Sequence, residues 1–192
     1  PALPYNKYSY WRVRAVNGAG VGDWSPAWSV IPREPANFYN DEFEASTLSD
    51  AWSFVREDPA HWRIGGVPGR RWEGFFTVDM ESGDLEQAND AQNLLLRAAP
   101  AGDLTLETIA GFWGPLGANY QQGGLIIYQD DDNYIRLGHI FRDGVRTEFS
   151  AEINGVVVER SDAWVMDGIR LRIERRGNVY TAAYSASGVN WT

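Results

Sequence analysis

The side chains best suited to chemistry alternate along two neighbouring strand-like segments. Tyr134 and Arg136 share one side of the first segment, beside Gly138, which leaves a gap. Arg146 and Glu148 share one side of the second. Residues two apart on a strand lie on the same face of a sheet. A face of this kind can bind a sugar, because aromatic rings stack on the sugar ring and planar polar groups bond its hydroxyls.

The same pattern also fits a solvated sheet face. Ser150 and Glu152 continue the polar side of the second segment, whereas Phe149 and Ala151 point the other way. One face is therefore expected to be core and the other to face water, with cross-strand ion pairs on the wet side. The alternation is the same for a sugar site and for a solvated face, so both interpretations stay open.

Two further aromatic residues lie where a loop should join two strands. Trp113 follows Phe112, and Tyr120 precedes a pair of glutamines. An aromatic ring at a loop tip near amides is a good platform for a sugar, although Trp113 could equally close the edge of the core. The candidate carbohydrate-binding residues are Trp113, Tyr120, Gln122, Tyr128, Tyr134, Arg136, Arg146 and Glu148.

Other polar residues give weaker signals for a metal site. Asp130 to Asn133 crowd oxygen ligands together, but their spacing is not that of an EF-hand, and an acidic run at a hairpin tip is usually solvated. His61 and His139 are the only histidines, and neither belongs to a cluster with ligand spacing. Both are interpreted as surface or hydrogen-bonded core residues.

These residues must be positioned by strands, because the chain shows short apolar runs separated by turn residues. The predicted strands of the main part begin at Trp52 and end at Ser185. Asn154-Gly155 and Gly177-Asn178 fit tight hairpin turns. The polar stretch Asp84 to Gln92 lacks an apolar stripe and is predicted to be a loop. The pattern indicates an antiparallel β-sandwich.

Composition excludes several classes of partner. The 192 residues carry a formal net charge of −9, which argues against nucleic acid and anionic membranes, since both need a basic surface. No segment is long and apolar enough for membrane insertion. The absence of cysteine excludes disulfides, thiolate metal sites and a cysteine nucleophile.

The first part of the chain carries a different pattern. Tyr8 to Gly20 reads as a strand and a turn, and Trp24-Ser25 follows in a second short run. These residues resemble the last two strands of a fibronectin type III domain. We therefore assign 1–32 to the end of such a domain, 33–37 to a proline-spaced linker and 38–192 to the main domain. The chain is interpreted as a piece of a longer protein with covalently linked neighbouring domains.

The main domain resembles one family at five dispersed places. The matching motifs are Asp41 to Phe43, Trp52 to Trp62, Asn93 to Pro100, Gln122 to Tyr134 and Gly177 to Thr192. They are similar to the concanavalin-like β-sandwich domains appended to family 43 glycoside hydrolases. The resemblance implies an all-β antiparallel jelly roll whose concave sheet and rim loops hold any ligand.

The resemblance also bears on calcium and catalysis. Related sandwiches often tie their first strand to the last with calcium, for which Asp41 and Glu42 are the candidate ligands. Concanavalin-like glycanases commonly present Glu-x-Asp-x-x-Glu on one strand, but Ser150 stands between Glu148 and Glu152, so no catalytic residue is assigned.

The expected function is a non-catalytic carbohydrate-binding module of a secreted or cell-surface protein, with a polysaccharide or oligosaccharide as partner. The alternatives are a structural or adhesive spacer, and an accessory domain that completes the active site of a neighbouring glycoside hydrolase.

Overall fold

The computed structural model describes residues 8–30, 40–65, 74–112, 114 and 116–192. The chain divides into two compact units, Pro1–Asn40 and Asp41–Thr192. The predicted linker at 33–37 lies outside the described residues, and the domain boundaries assigned from the sequence stay a prediction. No helix in the described part of the chain is long and apolar enough to cross a membrane.

The first unit contains a hairpin. Strand β1 (Ser9–Trp11) pairs antiparallel with β4 (Trp28–Val30), and the short strands β2 (Val16–Asn17) and β3 (Gly20–Val21) pair between them. The Asn17 side chain closes the turn by accepting a hydrogen bond from the Ala19 amide at 2.9 Å. The hairpin predicted from the sequence is confirmed, while its assignment to a fibronectin type III domain stays a prediction.

The second unit is built from eleven described strands. They are β5 (Trp52–Val55), β6 (Trp62–Ile64), β7 (Phe76–Val78), β8 (Leu94–Arg97), β9 (Leu104–Ala110), β10 (Gln122–Asp130), β11 (Asn133–Phe141), β12 (Val145–Ile153), β13 (Val156–Trp164), β14 (Ile169–Arg176) and β15 (Val179–Ser185). All the pairings among them are antiparallel. The all-β antiparallel class predicted from the sequence is confirmed.

Two sheets form the sandwich. One contains β10, β11, β12 and β13 in that order, and the other contains β15, β14 and β9. The core between them is apolar: Leu137 of the first sheet packs with Ile169, Leu171 and Ile173 of β14. Alternation along each strand directs these side chains inward. Two smaller pairs, β5 with β8 and β6 with β7, complete the unit.

Tight turns connect the strands where the sequence predicts them. Asn154 and Gly155 join β12 to β13 with φ of 52° and 70°, and Gly177 begins the turn from β14 to β15 with φ of 58°. Asparagine and glycine adopt this left-handed conformation more readily than other residues. The segment Asp84 to Gln92 forms a loop, as predicted.

Candidate functional site

The outer face of the four-stranded sheet carries a row of polar side chains from each of its central strands. Across β11 and β12, Tyr134 lies opposite Glu152, Arg136 opposite Ser150, and Gly138 opposite Glu148. Because alternation keeps these residues on one side, they form a continuous surface, the polar face. The sequence predicted this grouping.

The prediction that this face is solvated is wrong for its central residues. Tyr134, Glu148, Ser150 and Glu152 are only 4%, 4%, 2% and 3% exposed. Tyr134 therefore lies away from solvent, where its ring is no open stacking platform. The physical reason is a cover from a distant loop together with a network of ion pairs, and alternation along a strand reveals neither.

A long connection covers part of the polar face. We call residues 81–92, between β7 and β8, the rim loop. Its Glu86 forms an ion pair with Arg160 of β13, and its Asn89 donates a hydrogen bond to Asp132 Oδ1 at 2.8 Å. Within the loop, the amides of Asp90 and Ala91 both donate to the Asp84 carbonyl. The rim loop is thus held together internally and attached to β13 and to the turn between β10 and β11.

A network centred on Glu148 also removes this face from water. Arg136 Nη2 donates to Glu148 Oε1 at 2.7 Å, while its Nε donates to Ser150 Oγ at 2.7 Å. Two more guanidiniums approach the same carboxylate, Arg142 at 3.8 Å and Arg160 at 3.9 Å. A buried charge is tolerated when it is paired and hydrogen-bonded in this way.

Tyr134 belongs to the same buried layer. Its hydroxyl donates to Glu152 Oε2 at 2.9 Å. Burial and the bond to Glu152 raise the pKa of the Tyr134 hydroxyl above its ordinary value. Tyr134 therefore stays protonated at neutral pH and acts as a fixed hydrogen-bond donor beneath the surface.

A pocket of about 240 Å³ opens beside the Glu148 network. Its lining residues are Asp84, Glu86, Gln87, Tyr120, Gln122, Arg136, Ile140, Arg142, Glu148 and Arg160. Four of the predicted sugar-binding residues meet here, from β10, β11, β12 and the loop before β10: Tyr120, Gln122, Arg136 and Glu148. Tyr120 is 65% exposed and is the aromatic residue of the lining. A planar ring and several fixed polar groups converge on one small cavity.

The other predicted residues lie elsewhere. Arg146 is on the polar face but binds Asp162 at 2.8 Å and stacks over the Trp164 ring, so it is not part of the pocket lining. The Tyr128 hydroxyl donates to Asp131 at 2.8 Å, at the far end of β10. Trp113 lies outside the described residues.

Six of the ten lining residues, among them Ile140, were missed from the sequence. Asp84, Glu86 and Gln87 come from the rim loop, and Arg142 and Arg160 from the ends and outer edge of the sheet. Arg160 lies on the polar side of β13, opposite Ser150. The Asn154-Gly155 turn predicts that β12 and β13 pair, and this pairing could have placed Arg160 on the polar face. No local feature of the sequence indicates that the rim loop lies over the polar face.

Two glycines lie on the polar face where β10 and β11 pair. Gly124 of β10 is paired with Gly138 of β11, and the backbones approach closely. A Cβ atom added to Gly124 would lie 2.4 Å from Gly138 Cα, and one added to Gly138 would lie 2.7 Å from the Gly123 carbonyl oxygen. Only glycine fits at either position.

Asp41 and Glu42, the predicted calcium ligands, are already engaged. Asp41 accepts hydrogen bonds from Trp52 Nε1 at 2.7 Å and from the Phe43 amide at 2.9 Å, and Glu42 also has interactions within the protein. Calcium at these residues stays a prediction.

The acidic tip between β10 and β11 is organised by internal bonds. Asp131 receives two hydrogen bonds from the Arg56 guanidinium, at 2.7 and 2.8 Å, and these lower the pKa of its carboxyl group. Asp130 accepts from the Asn133 side chain at 2.7 Å. The tip thus links Arg56, which follows β5, to the hairpin formed by β10 and β11.

The sequence of the second unit matches the family model described as the β-xylosidase C-terminal concanavalin A-like domain, over residues 40–192. The chain belongs to this family. No match is found among curated proteins.

Solved structures of similar fold are family 43 glycoside hydrolase (GH43) proteins. The GH43 protein BlXynB from Bacillus licheniformis matches with a TM-score of 0.68 and 18% identity, covering 93% of this chain and 36% of that one. GH43B of the Bacteroides ovatus xyloglucan PUL matches with a TM-score of 0.66 and 20% identity, covering 92% and 36%. This chain spans about a third of the length of either protein. At these identities, the likeness shows the concanavalin-like fold.

Proposed function

We propose that this family member is an accessory domain of a secreted or cell-surface polysaccharide-active protein, in which it binds a neutral sugar residue. The sugar-binding site is the pocket beside Glu148. The proposal rests on one observation above all: exposed Tyr120 and the fixed polar groups of Gln122, Arg136 and Glu148 line a single cavity.

The charges of the pocket support a neutral ligand. Its lining includes three carboxylates, from Asp84, Glu86 and Glu148, and three guanidiniums, from Arg136, Arg142 and Arg160. These charges balance, so the pocket offers no net attraction to an anion or a cation. Paired ionic groups keep spare donor and acceptor positions for hydroxyl groups.

The size of the pocket supports a small ligand. Sites for drug-sized molecules enclose roughly 300–1,000 Å³, and this cavity of about 240 Å³ suits one sugar ring. Stacking on Tyr120 would contribute on the order of 1 kcal/mol. We therefore expect weak binding, in the millimolar to high micromolar range, as for a single-ring site.

Calorimetric titration with xylo-oligosaccharides, arabino-oligosaccharides and fructans tests this function. Tyr120→Ala removes the ring without disturbing the ion pairs, and we expect it to weaken binding about fivefold to tenfold, which corresponds to the loss of stacking. Tyr10→Ala is the matched control, because Tyr10 is similarly exposed, at 72%, but lies in the first unit.

Two outcomes would contradict the proposal. One is the absence of binding for every glycan at millimolar concentration by protein that circular dichroism shows to be folded. The other is equal binding by the wild type and the Tyr120→Ala variant, which would place the sugar on another surface.

A further inference from the structure

A second cluster of polar residues lies apart from the pocket residues. Asp58 and His61 belong to the connection from β5 to β6, and Glu81 follows β7. One potential ligand atom from each residue lies within 4.8 Å of the other two. Among the described residues, this is the one group of three or more such side chains that converge in this way.

The imidazole of His61 provides a second, independent observation. Its Nδ1 atom is shielded from solvent and has no hydrogen-bond partner. The nitrogen lies 3.3 Å from Asp58 Oδ2 and in contact with Glu81 Oε1, yet neither contact has hydrogen-bond geometry. The shielded Nδ1 atom of a partly exposed imidazole and two carboxylate oxygens thus face one another without a hydrogen bond between them.

The remaining atoms of the cluster are held by neighbouring groups. Asn93, which is 5% exposed, accepts a hydrogen bond from the Asp58 amide at 2.8 Å and donates one to Glu81 Oε2 at 3.2 Å. Asp58 Oδ1 accepts from the Ala60 amide at 3.0 Å. Each carboxylate is therefore oriented through one oxygen while the other points into the cluster. Outer-shell bonds of this kind orient metal ligands in known sites.

We propose that Asp58, His61 and Glu81 bind a divalent metal ion, and that zinc is the best match. Zinc accepts imidazole nitrogen and carboxylate oxygen together. Calcium and magnesium prefer shells made entirely of oxygen. Tetrahedral ligands about 2.0–2.1 Å from zinc lie about 3.3 Å apart, which agrees with the distance from His61 Nδ1 to Asp58 Oδ2. Glu81 Oε1 lies closer to Nδ1 than this, so the Glu81 side chain would move outward when the ion binds.

The ion would fasten a defined part of the fold. Glu81 begins the rim loop, and Asn93, which follows the loop, bonds to two of the proposed ligands. Metal binding would therefore fix both ends of this loop to the connection between β5 and β6. Three protein ligands leave a fourth position for water.

Nuclear magnetic resonance of the imidazole nitrogens tests the proposal directly, because the chain has only two histidines. Zinc chloride is titrated into the full chain after treatment with a chelator. We expect the Nδ1 resonance of His61 to shift and saturate. The buried His139, 1% exposed, serves as the internal control and should not move.

Substitutions test whether the carboxylates of Asp58 and Glu81 are metal ligands. Glu81→Gln and Asp58→Asn each remove a ligand charge at nearly constant shape, and we expect each to weaken zinc binding at least about tenfold in calorimetric titration. Asp79→Asn is the matched control, since Asp79 is two residues from Glu81 and pairs with Arg63 at 2.9 Å. It should bind zinc within about twofold of the wild type. If either ligand variant fails to fold, His61→Asn replaces it.

Several results would overturn the metal site. One is zinc binding that leaves the His61 resonance unchanged, and another is wild-type affinity in both carboxylate variants. Calcium binding as tightly as zinc would overturn the choice of metal, because an imidazole ligand gives calcium no advantage. Failure of zinc to bind at millimolar concentration would remove the site altogether.

Discussion

The two faces of the four-stranded sheet are both buried at their centre but are built from opposite chemistry. On β11, Leu137 points into the apolar core and is 2% exposed. Its neighbour Arg136 points to the polar face and bonds to Gln122, Ser150 and Glu148. Burial alone thus does not decide which residue type occupies a position; what matters is whether its polar atoms find partners.

The unsatisfied polar atoms of this sheet lie on the apolar side. His139 and Thr147 are paired across β11 and β12 on the core face, and His139 Nδ1 and Thr147 Oγ1 have no hydrogen-bond partner. On the polar face, the described residues contribute no such atom. A layer of many polar side chains can therefore provide hydrogen-bond partners for more of its polar atoms than a mostly apolar layer that contains two polar residues.

The largest loss of folding stability is expected for a substitution on the core face of the four-stranded sheet. Leu137→Ala should lower the free energy of unfolding by about 4 kcal/mol, because it removes buried methyl groups and leaves a cavity that the rigid sheet cannot fill. Urea denaturation measures the change. A loss below about 1 kcal/mol would mean that the two sheets do not pack as described.

A slightly smaller loss is expected on the polar face. Glu148→Leu should cost about 3 kcal/mol, because Arg136 then keeps its charge in a buried position without its main partner. The double variant Arg136→Met/Glu148→Leu should recover much of that loss, since it removes both charges. Urea denaturation of the four proteins of this double-mutant cycle gives the coupling. Additive losses would show that the two residues act independently.

The smallest expected loss of folding stability comes from lowering the pH, and it concerns the buried His139. Burial lowers the pKa of His139 below the ordinary value of 6.5. At pH 7.5 it is neutral in both folded and unfolded chains. Below about pH 6.5 the unfolded chain binds a proton that the folded chain excludes, so stability should fall by up to about 1.4 kcal/mol per pH unit.

Denaturation curves between pH 7.5 and 5.5 measure this slope. The variant His139→Leu should lose most of the dependence, whatever its absolute stability. A slope unchanged by the substitution would assign the acid sensitivity to another group.

The sequence was sufficient for the strands and for the direction of their side chains, because alternation and turn chemistry are local properties. It placed Arg136 and Glu148 on one face and Tyr120 on a loop between two strands. It failed on burial, since the cover of that face comes from Glu86, some sixty residues earlier in the chain. It did not predict that His61 lies near both Asp58 and Glu81, for a related reason: Asp58 is three residues away, but Glu81 joins them only through the pairing of β6 with β7.

The paired glycines Gly124 and Gly138 also limit how this protein could change during evolution. Any side chain at either position would collide with backbone atoms of the adjacent strand, so single substitutions cannot add a side chain to this part of the polar face. Within the rim loop, Gly83 is the glycine with a similar restriction, because a Cβ atom there would lie 3.1 Å from Ala91 Cα. Variation of the proposed sugar site would therefore arise mainly in the side chains of the rim loop, since the close contact of the two glycines fixes the backbones of β10 and β11 beside it.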